Sequence, residues 1–137
     1  MHIKRMKALA DFLDKLPKKK FDMGSYIHWK GNGRMPVNAK QALHSCGTTA
    51  CVAGWVELCH ATADEKGCSF DFAKNHLDLT TKEAEWLFHG HWSKDYVSCP
   101  LHSVEREYFG VGTGTPKQAA KAIRAMVECE GIPSWTV

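Results

Sequence analysis

Ser45–His60, S-C-G-T-T-A-C-V-A-G-W-V-E-L-C-H, is the stretch whose reading decides the fold. From Thr49 onward it has no proline and a single glycine, and Ala50, Cys51, Val52, Ala53, Trp55, Val56, Leu58 and Cys59 leave almost no polar face. A helix that is apolar all round belongs in a core, so the stretch predicts a buried central helix over about 48–60. Cys46, Gly47 and Thr48 would stand at its entrance. Free N–H groups and the helix dipole gather positive potential at such an end, which suits a bound anion or a cysteine thiolate.

On the N-terminal side, Ile3, Met6, Leu9, Leu13 and Leu16 recur at three- and four-residue steps, so they form one stripe of a first helix that Pro17 ends. Phe21, Met23, Tyr26, Ile27 and Trp29 are dense but not periodic, and they read as a loop or short strand laid across the core. Residues 31–36, G-N-G-R-M-P, make an exposed turn, and Asn38–His44 is long enough for a helical turn. On the C-terminal side, Phe70, Phe72, Ala73, His76 and Leu77 suggest a short helix. Thr80 with Glu83 forms a capping box before Ala84, Trp86, Leu87 and Phe88, and Gly90 is the stop. A short helix is expected over Val104–Phe109. The final helix carries Thr115 as cap, Pro116 in the first turn and Gln118 completing the box, with Gly131 and Pro133 past its end. The fold expected is mainly α, a compact single domain over residues 1–137 around the central helix, with room for a small β-hairpin near 21–37.

Three segments, Phe21–Met23 (F-D-M), Cys46–Trp55 (C-G-T-T-A-C-V-A-G-W) and Leu77–Phe88 (L-D-L-T-T-K-E-A-E-W-L-F), together resemble a family of small bacteriophage and bacterial proteins that share C-G-T-x-x-C-x-x-G-W. The resemblance runs from about Phe21 to the final helix. It implies a phage-type origin and supplies no catalytic residue.

With 137 residues the chain can bury a substantial core, so disulfide or metal staples are optional. Its 44% apolar and 24% charged content is that of a soluble globular protein and argues against global disorder. No apolar run approaches the roughly 18 residues of a membrane span, and the N-terminus is charged where a signal peptide would be apolar, so a cytoplasmic protein is expected. A reducing cytosol keeps the six cysteines as thiols. The net charge of +3, concentrated in Lys15, Lys18, Lys19 and Lys20, reads as a solvated face and makes nucleic-acid binding an unlikely role.

Four patterns carry possible chemistry. Cys46 could act as a nucleophile with a histidine base, His44 being the candidate beside it; His28, His60, His76, His89, His91 and His102 compete for that role. The spacing departs from the C-G-S-C-W pattern of thiol proteases. Cys46–Cys51, Cys59–His60 and His89-x-His91 do not make a matched zinc set, so no metal or cofactor is called for. Gly110–Pro116, G-V-G-T-G-T-P, could cradle a phosphate through its N–H groups, that of Gly112 among them, and the hydroxyls of Thr113 and Thr115, but it lacks the lysine of a phosphate-binding loop. Trp55 and Trp86 belong to helix faces and the core, whereas Trp29, Trp92 and Trp135 fall in irregular segments suited to contact with a partner or ligand. The balance favours a phage accessory protein, monomeric or a small homo-oligomer, that binds and inhibits or sequesters a host protein of the machinery or defence. A small anionic ligand such as a nucleotide is the second kind of partner, and a thiol hydrolase or transferase built on Cys46 is the alternative function.

Overall fold

The computed structural model describes residues 1–23, 26–28, 36–44, 48–65, 68–93 and 114–134. Six α-helices occur among them: α1 (Ile3–Lys15), α2 (Ala39–His44), α3 (Val52–His60), α4 (Ser69–His76), α5 (Thr81–Phe88) and α6 (Pro116–Cys129). Two short strands, β1 (Ile27–His28) and β2 (Thr49–Ala50), pair antiparallel, with Ile27 opposite Ala50 and His28 opposite Thr49. The molecule is therefore mainly helical with a small sheet. The first strand lies within 21–37, and its partner comes from just before the central helix.

That partner shortens the central helix relative to its sequence pattern. The apolar run suggests a start near residue 48, yet Thr49 and Ala50 are extended and the helix begins at Val52 with Cys51 as its cap. Two backbone passes claim Ala50. Asp22 donates its N–H to the Ala50 carbonyl at 3.1 Å, and Phe21 forms a parallel bridge with Ala50. Backbone groups paired in this way cannot also enter a helical ladder.

From Val52 to Leu58, α3 is buried on every side. Each side chain such as Leu58 that leaves water contributes about 1.5–3 kcal/mol, so this helix carries a large share of the core. The same core takes in Leu13 and Leu16 from the first helix region, Ala73 and Leu77 from the α4 region, Ala84, Leu87 and Phe88 from α5, and Ile123 and Met126 from α6. α1 and α6 lie along one another, and Arg124 on α6 pairs with Asp11 at 2.9 Å and with Asp14, both on α1. The apolar stripe of α1 is Met6, Leu9, Ala10 and Leu13; Ile3, one turn earlier, is exposed.

Local start and stop signals act as expected at α5 and α6. Thr80 accepts from the Glu83 N–H while Glu83 accepts from the Thr80 N–H, and Thr115 and Gln118 make the same exchange. Asn38 accepts from the Gln41 N–H at 2.9 Å and opens α2. Gly90 follows α5 with φ +75°, a value that favours glycine. The left-handed position after α6 is Glu130, φ +53°, and not Gly131, whose N–H reaches back to the Met126 carbonyl. No helix among the described residues is long and apolar enough to cross a membrane. The helix expected over Val104–Phe109 lies outside the described residues.

Candidate functional site

Cys51, Gly54 and Trp55 build a clamp at the entrance of α3. Cys51 donates its N–H to the Tyr26 carbonyl at 3.2 Å, fastening the β1 segment to the helix cap. Gly54, one turn into the helix, faces the same carbonyl: a Cβ there would lie 1.6 Å from the Tyr26 oxygen and 2.9 Å from the Ala50 Cβ. Only a residue without a side chain allows that approach. Trp55 is fully buried, and its indole N–H donates to the Lys20 carbonyl at 3.0 Å. The Lys20 ammonium in turn donates to the Ala42 carbonyl at 3.0 Å, tying the segment after α1 to α2. Cysteine, glycine and tryptophan at this spacing thus hold three remote backbone segments in place.

Cys51, not Cys46, occupies the N-terminal cap of the central helix. Two effects compete there. Burial disfavours the thiolate, while the N–H groups of Gly54 and Ala53 favour it; burial wins, and the thiol is pushed up to about 11. Little of such a thiol is in the thiolate form that attacks electrophiles at physiological pH. Burial likewise pushes Cys59 up to about 11. Exposed Cys68 donates to the Asp71 carboxylate at 3.0 Å, a bond that raises its pKa by favouring the protonated thiol.

Of the residues singled out from sequence, Cys46, Gly47, Trp29, Gly112, Thr113 and Trp135 lie outside the described residues. Thr48 is buried directly before β2, and His44 is exposed at the end of α2. Cys51 is the residue at the helix cap, so the dipole argument for a thiolate applies to it. Trp92 is buried, 7% exposed, where an exposed contact residue was expected. Its indole N–H donates to the Leu87 carbonyl at 2.8 Å, which removes the cost of burying it. A Cβ on Gly114 would lie 2.4 Å from the Trp92 ring, so this glycine of the 110–116 loop is explained by packing.

Three arrangements escaped the sequence reading. Glu57, the one charged residue between Thr49 and Cys59, is 1% exposed, and its carboxyl group accepts a hydrogen bond from the Ser69 hydroxyl across the α3–α4 contact. Its signal was present: a lone acid inside an apolar helix needs a buried partner. His60 and His76, at the ends of α3 and α4, stack with ring centroids 4.3 Å apart. Their 16-residue separation follows no local period, so nothing in the sequence pairs them. A second ring cluster joins Phe70 to Phe88 at 5.6 Å and to His89 at 5.7 Å, with His91 6.3 Å from His89. Among the described residues, no group of three or more His, Cys, Asp or Glu side chains is placed to hold a metal ion.

On the surface, α2 is a short helix with one buried residue. Its buried contact is Ala42, while Leu43 is 38% exposed and Val37, just before its first turn, is 54% exposed, with Lys40 and His44 exposed beside them. No protein-family model, curated protein or solved structure matches the chain.

Proposed function

We propose that this chain is a phage-type accessory protein that works by binding a protein of the host's machinery or defence in the host cytosol, inhibiting or sequestering it, and that α2 presents the contact face. The observation that carries this reading is the exposure of two large aliphatic side chains, Leu43 on the six-residue α2 and Val37 two residues before it, with Lys40 and His44 exposed nearby. Apolar anchors rimmed by polar groups are what a protein interface uses for affinity and register. Consistent with a binding role, three residues of the C-G-T-x-x-C-x-x-G-W pattern do architectural work: Cys51 caps and fastens, Gly54 admits a carbonyl, and Trp55 ties down Lys20.

The test compares the immobilised wild-type chain with a Val37→Asp/Leu43→Asp double variant in bacterial lysate. Both substitutions fall on exposed sites, so circular dichroism should not change. Wild type is expected to retain a discrete host protein, and the variant to retain about tenfold less, as expected when an interface anchor becomes a charge. Retention of the same protein equally by both would remove α2 from the reading, and no retained protein at all would end the binding proposal.

A further inference from the structure

The first turn of α1 seals the far end of α4. The last carbonyls of a helix have no partner within it. Here the Arg5 guanidinium donates to the His76 carbonyl at 2.8 Å, and the His2 N–H donates to the Leu77 carbonyl at 2.8 Å. The Met1 amino group stands 3.6 Å from the Asp78 carboxylate. α1 itself is capped by an imidazole: Nδ1 of His2 accepts the Arg5 N–H at 3.3 Å, which it can do only while that nitrogen carries no proton. On the same spot the His76 ring lies between helices, stacked on His60 from the end of α3 with planes 20° apart and nearly parallel to Phe72 at 5.8 Å.

We propose that the stacked His60–His76 pair, with His2 and Arg5 against it, is a proton-operated latch that holds the first turn of α1 onto α4 at neutral pH and lets it go in acid. Neutral imidazoles stack without penalty beside a guanidinium. A proton on either ring places a cation against Arg5, and protons on both place two cations face to face at 4.3 Å. The charged and titratable groups that face His76 are His60 from α3, Arg5 and His2 from the α1 side, and Glu65 from the turn after α3; Glu65 alone favours the proton.

The sense of the pH dependence follows. Burial first, then His60 and Arg5, lower His76 to about 4, and burial followed by Arg5 lowers His60. The released state therefore binds more protons than the latched one between that range and the ordinary 6.5, so the latch is fully closed above 6.5 and is lost progressively as pH falls toward 4.

Amide hydrogen exchange tests this directly, read as protection factors for Arg5 and Met6 at about pH 7.5 and about pH 5, with Trp55 of α3 as the internal standard for the core. In the wild type, protection of Arg5 and Met6 should fall about tenfold or more at the lower pH while Trp55 holds. His76→Phe keeps a flat ring in the stack but cannot take a proton, and it should lose much less; His60→Phe serves in its place if the first variant does not fold. Unchanged protection in the wild type, or an equal loss in the phenylalanine variant, overturns the latch. So do imidazole proton resonances that place both His60 and His76 at or above their ordinary midpoint.

Discussion

The entrances of α6 and α3 solve the same problem by opposite means. At α6 the free N–H groups are met by side chains within one turn: Thr115 takes the Gln118 N–H at 3.2 Å, and Gln118 returns a bond to Thr115 at 2.9 Å. At α3 no side-chain bond caps the helix; the cap residue is a buried cysteine, and its position is set by Tyr26, Phe21 and Asp22, which arrive from more than twenty residues upstream. The first entrance is local, polar and partly exposed, the second is tertiary, apolar and dry. A local cap can be removed at modest cost, because water takes its place. The tertiary clamp has no such substitute.

Gly54→Ala should show this most strongly. The new methyl would collide with the Tyr26 carbonyl, which is backbone and pinned by Cys51, so a loss of about 4 kcal/mol or more is expected in denaturant titration, enough to prevent folding in a marginal domain. A loss under about 1 kcal/mol would show that the β1 segment moves aside freely and would reduce the clamp to an ordinary contact. Next in size is thiol reactivity. Cys51 should react with iodoacetamide at neutral pH about a hundredfold more slowly than an ordinary cysteine from thiolate fraction alone, with exposed Cys129 labelled well before it; early modification of Cys51 in the native protein would mean a wet entrance.

At the local entrance the stakes are smaller. Thr115→Ala should cost about 1 kcal/mol, and an unchanged midpoint would show that Gln118 and solvent suffice.

The same contrast explains what could be read from the chain. The boxes at Thr80 and Thr115 were legible because cap and partner are three residues apart and depend on nothing else. The start of α3 was misplaced because Thr49 and Ala50 match the apolar pattern of a helix, while the groups that hold them extended lie elsewhere in the sequence. Trp92 looked available for contact because the segment around it lacks periodicity, and only the fold reveals the Leu87 carbonyl and the bare face of Gly114 that receive it. The stop of α6 was placed correctly to within one residue, but the left-handed site went to Glu130, since the glycine next to it supplies the returning N–H instead.

The pairing of α1 with α6 also sets a timetable for synthesis. Met6, Leu9 and Leu13 share a core with Ile123 and Met126, α1 packs along α6, and roughly 100 residues separate the two helices. At about 5–20 residues per second, a ribosome finishes α1 on the order of 5–20 s before α6 is available to cover it. During that interval the nascent chain carries an uncovered apolar stripe, and chaperones that bind such stripes would meet this protein at its first helix.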